Sequence, residues 1–137
     1  MAPPMAAEVL GLPPFTIQEL VSELRWPSEA IDVGLVETAG GLRSPMAVDG
    51  DCHSLCEAVT PDAVVLVADA GLGTINSVRL TLDGLGSLES RAVVVLNRFD
   101  AGSDLHRRNL EWLRGRDGRR VLTIPGGHTE LLAFIRQ

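Results

Sequence analysis

Apolar residues fall along the chain in two kinds of run. Ile17, Leu20, Val21 and Leu24 recur at helical spacing behind a Thr16–Glu19 capping box, and Pro27 stops the run. Ile75, Val78, Leu82 and Leu85 mark one face of a second helix that starts near Thr74. Ser103 or Asp104 caps a helix to about residue 115, with Leu105, Trp112 and Leu113 facing inward. A last helix, at about 129–136, packs through Leu131, Leu132 and Ile135. The other runs are continuous. Residues 63–68 and 92–97 read as strands buried on both faces. Residues 33–36 and 121–124 read as shorter strands. Between them lie a loop at 38–45, a polar turn at 49–51 and a helix from about 52 to 59. Residues 1–15, rich in Pro, Ala and Gly, read as an irregular arm.

Strands that alternate with helices and lack polar alternation predict an α/β fold, a parallel sheet of about four strands with flanking helices. A chain of 137 residues is expected to make one such domain, 1–137. Ligands of such sheets bind at the carboxyl ends of strands. Glu37-Thr38-Ala39-Gly40-Gly41 follows the first strand, and its carboxylate and loop amides suit a divalent cation and a phosphate, or simply make a turn. Gly71-Leu72-Gly73 leads into a helix start, where free amides and the helix dipole suit an anion and Asn76 adds a side-chain amide. A glycine-assisted helix cap explains the same residues. Asn97-Arg98 and Pro125-Gly126-Gly127 end the next two strands. Asn97 can pair with a purine edge or with its own loop.

Composition narrows the chemistry. All 12 basic residues are arginine, and tyrosine is absent, so no ammonium or phenol group is available within these residues. A net charge of −6 argues against a general nucleic-acid binder. Residues 98–120 hold seven arginines, which read as a solvated helix face and loop. Cys52 and Cys56 lack the second ligand pair of a zinc site and read as reduced, partly buried thiols. No apolar stretch is long enough to span a membrane and no signal peptide is evident, so a cytoplasmic location is expected.

Two strings together carry a family resemblance. Val36-Glu-Thr-Ala-Gly-Gly41 with Pro45 is similar to the Val-Glu-Gly-Ala-Gly-Gly…Pro segment of dethiobiotin synthetases. Residues 65–76, ending Gly71-Leu-Gly-Thr-Ile-Asn76, and then 80–85, resemble that family's next strand and helix. Pro3-Pro-Met-Ala-Ala7 resembles the segment that precedes them. The resemblance implies a nucleotide-binding fold of the P-loop NTPase class (SIMIBI type), without its P-loop half. It implies ATP- and Mg2+-dependent closure of the ureido ring of dethiobiotin, a step of biotin biosynthesis, from 7,8-diaminononanoate and carbon dioxide. One amine becomes a carbamate, ATP phosphorylates it, and the second amine displaces phosphate. By the same resemblance Glu37 binds magnesium and the Thr38, Ala39 and Gly40 amides lie near the phosphates. Asn97, Arg98 and the Pro125-Gly126-Gly127 turn hold the nucleotide. Leu72, Gly73 and Asn76 bind the substrate carboxylate across a homodimer interface.

The departures are specific. The family's P-loop lysine, a second lysine at the substrate and an aspartate at the metal have no counterpart, and Thr38 replaces a glycine. The chain begins near the family's second half, so it is expected to need a P-loop-bearing chain or a second copy, and to lack activity alone. Two other readings stay open: a non-catalytic binding or scaffold protein on the same fold, and a fragment of another P-loop amidoligase or maturation ATPase.

Overall fold

Capping chemistry decides where several helices begin. In the computed structural model, which describes residues 1–137, the Thr16 hydroxyl accepts from the Glu19 N–H at 3.2 Å, and the Glu19 carboxylate accepts from the Thr16 N–H at 2.7 Å. The reciprocal pair opens helix α2, Ile17–Glu23. Upstream, the expected irregular arm is in part a helix, α1, Pro3–Val9. Proline at a helix start loses no hydrogen bond there, and Ala6 and Ala7 favour the conformation.

The chain gathers into two units, Met1–Pro61 and Asp62–Gln137. In the first, β1 (Pro45–Ala47) and β2 (Gly50–Asp51) form an antiparallel pair that leads into α3, Cys52–Val59. The Asp51 carboxylate accepts from the Ser54 N–H at 3.0 Å and caps α3. Ile17, Ala47 and Leu55 make the buried centre, with Phe15, Leu20, Val21, Met46 and Val59 around it. The Asp49 carboxylate accepts from the Ile17 N–H at 2.9 Å and fastens α2 to the hairpin.

The strand expected at residues 33–36 does not form. An apolar run becomes a strand only where a neighbouring edge takes its backbone groups, and this run pairs with none. Instead Gly34 lies under the Trp26 ring, so close that a Cβ would fall 2.3 Å from the ring edge. Leu35 is 76% exposed.

The second unit holds a parallel sheet in the order β3 (Val64–Asp69), β4 (Ala92–Asn97), β5 (Val121–Thr123). Helix α4 (Thr74–Leu85) and a 3-10 turn, Gly86–Arg91, join β3 to β4. Helix α5 (Asp104–Glu111) and a π turn, Trp112–Arg116, join β4 to β5, and α6 (His128–Ile135) follows. The sheet thus has three parallel strands. β4, the central one, is buried from Val93 to Leu96 as its sequence predicts. β3 is not: it is an edge strand, and Val67 is 59% exposed. α4 packs through Val78, Leu82 and Leu85, and Leu113 is fully buried.

Leu105, Trp112 and Leu132, expected inside, are exposed. For Trp112 the reason is visible: the Arg79 and Arg116 guanidinium groups lie over its ring, 5.9 and 5.1 Å from the centroid. The arginines of 98–120 behave as a solvated, ion-paired set. Arg107 and Arg108 share Asp104, and Arg119 pairs with Glu89. No helix is long and apolar enough to cross a membrane.

Asn109 is a buried polar residue of α5. Its side-chain amide donates to the carbonyls of Ala70 and Gly71 at 2.9 and 2.8 Å. Asn109→Ala strips both acceptors, and the expected cost is about 1–3 kcal/mol. Leu105→Ala, on an exposed face of the same helix, is expected to cost within about 0.5 kcal/mol. Urea unfolding of the two variants measures the difference, and equal midpoints would show that Asn109 holds nothing.

Candidate functional site

Register brings the strand ends of the second unit to one edge of the sheet. Asp69 lies opposite Asn97, and Leu96 opposite Thr123. Just past them the Ile124 N–H donates to the Leu96 carbonyl at 2.9 Å, and the Phe99 N–H donates to the Ile124 carbonyl at 2.8 Å. Asp69, Asn97, Arg98 and the Pro125-Gly126-Gly127 turn therefore share the carboxyl edge. Asp69 accepts from the Gly71 N–H at 2.8 Å and pairs with Arg98. The Gly71 amide first, and the Arg98 guanidinium second, hold the Asp69 carboxyl below the usual carboxylate range.

Asn97 is exposed, and its Oδ1 accepts from the Arg98 N–H at 2.9 Å. Arg98 itself sits at φ 54°, a left-handed conformation that few side chains adopt. The bond leaves the Asn97 amide nitrogen facing solvent, a donor suited to the acceptor edge of a purine. In the following turn Gly126 has φ 115°. Gly127 is required by space: a Cβ there would lie 2.8 Å from the Thr123 carbonyl oxygen, while its N–H donates to that oxygen at 2.7 Å.

The start of α4 lines a concavity. A shallow pocket of about 350 Å³ is lined by Leu72, Gly73, Ile75, Asn76, Arg79 and Asn109. Gly73 caps the helix at φ 88° without a side-chain cap. The first regular helical bond runs from the Ser77 N–H to the Gly73 carbonyl, so the Ile75 and Asn76 N–H groups precede it and carry the positive end of the helix dipole. Thr74 is only 5% exposed, and its Oγ1 has no partner. Leu72 is 93% exposed and makes an apolar wall. The pocket brings together all three residues expected at the substrate carboxylate: Leu72, Gly73 and Asn76.

Glu37, Thr38, Ala39 and Gly40 belong to the first unit. Glu37 is exposed, in chain that belongs to no helix or strand. The loop after it is ordered by bonds to the hairpin and α3. The Ser44 N–H donates to the Gly41 carbonyl at 2.8 Å, and the His53 N–H to the Leu42 carbonyl at 3.0 Å. Gly40 has φ 95°, and a Cβ there would meet the Ser44 hydroxyl at 2.5 Å. No cluster of three or more His, Cys, Asp or Glu residues could cage a metal ion. Magnesium does not require one: it keeps several waters and binds through one or two carboxylates plus phosphate oxygens, so a single exposed Glu37 fits that chemistry. Cys52 is buried with its thiol 3.7 Å from the Ala39 carbonyl. Burial pushes the Cys56 thiol above its ordinary value, so it is protonated at neutral pH.

Two contributors are absent from the sequence expectations. Arg79 lines the pocket from one helical turn beyond Asn76, a spacing that the sequence does display. Asn109 reaches the pocket from 33 positions beyond Asn76 and leaves no local signal. Asp69 stands where the sequence puts it, directly after the apolar run 63–68, and its pairing with Arg98 is a consequence of register.

No family model matches, and no solved structure matches. Curated relatives do. An ATP-dependent dethiobiotin synthetase of Brachyspira hyodysenteriae is 29% identical over 127 residues, 90% of this chain and 57% of the relative. That of Rhodococcus jostii is 34% identical over 135 residues, 96% of this chain and 58% of the relative. That of Streptomyces avermitilis is 36% identical over 132 residues, 93% of this chain and 55% of the relative. The chain is a sequence relative of the ATP-dependent dethiobiotin synthetases, similar to them along nearly its whole length and spanning about half of theirs.

Proposed function

We propose that the chain takes part in the ATP- and Mg2+-dependent closure of the dethiobiotin ureido ring, from 7,8-diaminononanoate and carbon dioxide. The observation that carries this reading is the pocket at the start of α4, which gathers Leu72, Gly73 and Asn76 in a chain similar to dethiobiotin synthetases. The Ile75 and Asn76 amides bind the carboxylate of the substrate, and the Leu72 side chain covers its alkyl chain. A second copy of the chain contributes the reacting end of the site, as a homodimer.

Glu37 holds magnesium, and the Thr38, Ala39 and Gly40 amides lie along the phosphates. Asn97 donates to the adenine ring, Arg98 fixes the Asn97 side chain through its own N–H, and Pro125, Gly126 and Gly127 form a flat wall. The bound nucleotide supplies the phosphoryl group. Phosphoryl transfer needs positioning and neutralised charge more than covalent help, and these residues supply positioning. They supply no ammonium group, since the chain contains no lysine. A segment bearing a P-loop lysine, on the same polypeptide or on another, completes the triphosphate site.

Turnover is the first test. Incubated with ATP, magnesium, bicarbonate and diaminononanoate, the chain alone is expected to form no dethiobiotin by mass spectrometry. Added to the P-loop half of a dethiobiotin synthetase, it is expected to form product. Product from the chain alone would show that no lysine is needed, and no product from the mixture would end the reading. Glu37 is tested separately in the mixture. Glu37→Ala is expected to abolish magnesium-dependent nucleotide binding measured by calorimetry, and unchanged affinity would remove Glu37 from the metal site.

A further inference from the structure

The pocket at the start of α4 has one cationic side chain, and neither the sequence reading nor the proposed function uses it. Arg79 is bound by a two-pronged ion pair. Its Nε donates to Asp117 Oδ2 at 2.8 Å and its Nη2 to Asp117 Oδ1 at 2.7 Å. The Trp112 ring lies beneath the guanidinium, 5.9 Å to the centroid. Asp117 is nearly covered while Arg79 stays half exposed, with side-chain exposures of 12% and 47%. The carboxylate therefore acts as the anchor and the guanidinium as the presented group.

A bidentate pair occupies one edge of the guanidinium plane and leaves Nη1 with two N–H donors. No protein acceptor takes them. Anchoring on two sides removes most of the rotamer freedom that a surface arginine ordinarily loses on binding. The pocket then offers three kinds of donor: the helix-start amides of Ile75 and Asn76, the Asn76 side chain, and a fixed planar cation. An apolar wall, Leu72 and Ile75, stands beside them. That combination matches an aliphatic chain ending in a carboxylate, which accepts two parallel N–H bonds.

We propose that Arg79 is a specificity-determining residue of this pocket, selecting aliphatic ligands that end in a carboxylate over neutral ones of the same shape, with Asp117 as its positioning residue. The assignment deepens the proposed function and rests on it only for the identity of the natural ligand. Asp117 neutralises much of the guanidinium charge at long range, so the selection acts through short hydrogen bonds in the pocket and not through steering.

The test uses the intact chain labelled with 15N, with nonanoate and nonanamide as probes. Amide shifts of Ile75 and Asn76 report binding in this pocket. Wild type is expected to bind nonanoate about tenfold more tightly than nonanamide, the scale of one charged hydrogen bond. Removing Arg79 alone would unmask Asp117 and add repulsion, so the main variant is Arg79→Leu with Asp117→Asn. It is expected to lose most of the preference and keep only the part that the helix-start amides supply. Arg79→Gln with Asp117→Asn, which keeps an amide–amide bond at the anchor, gives the same readout if the first double variant does not fold. Arg79→Lys is expected to restore part of the preference. A purely structural role for Arg79 would change melting temperature without changing the ratio of the two affinities. A ratio unchanged in both neutral variants overturns the proposal, and so does wild type that shifts neither amide. Diaminononanoate is the separating arm. If it fails to bind while nonanoate binds in an Arg79-dependent way, the proposed reaction falls and the Arg79 assignment stands.

Discussion

Everything at the carboxyl edge of the second unit depends on β4 being paired on both sides. Val93 to Leu96 are buried, and their backbone groups have no water to turn to, so each needs a strand neighbour. β3 and β5 supply them in parallel. Parallel pairing sends three chain reversals to the same edge, because each crossover must return to the opposite one. Asp69, Asn97 and the Pro125-Gly126-Gly127 turn are neighbours for that reason and no other. The ion pair between Asp69 and Arg98 and the bond from the Phe99 N–H to Ile124 then tie the three turns together.

The same constraint shapes the pocket at the start of α4. The turn that leaves β3 must reverse within Ala70–Gly73, and two glycines together with the Asn109 amide make this feasible. Gly73 takes a positive φ that only glycine adopts without strain, and Asn109 satisfies the two carbonyls that the reversal exposes. What results is a helix start with its first amides uncapped by any side chain. A Ser or Asp at position 73 would normally accept those bonds and close the site. Glycine leaves them open.

Much of this was legible in the sequence, and the boundary is physical. Local chemistry was readable: the Thr16 capping box, the Ser103 cap, the two continuous apolar runs and the glycines before α4 all act within a few residues. Leu72, Gly73 and Asn76 were placed together because one helical turn joins them. What the sequence could not show depends on partners far along the chain. Residues 33–36 look like β4 in miniature, yet without an edge to pair with they form no strand, and Gly34 lies under Trp26. Residues 63–68 are as apolar as 92–97, yet β3, which borders the sheet, is only partly buried and leaves Val67 exposed. Trp112 was assigned to the core by hydrophobicity, whereas two guanidinium groups hold it at the surface. Asn109 and Asp117 act on residues 38 or more positions away, beyond any local pattern.

The arginines show how a chain without lysine uses its cations. A guanidinium is a planar fork that prefers fixed carboxylates and carbonyls, and here most are so occupied. Arg98 holds Asp69, Arg107 and Arg108 hold Asp104, Arg119 holds Glu89, and Arg114 donates twice to the Val121 carbonyl. Each pair fixes a turn or a helix end. Among the 12 arginines Arg79 combines an anchored fork with a place in the lining of a pocket. A guanidinium held in this way matches a carboxylate, which accepts two parallel N–H bonds.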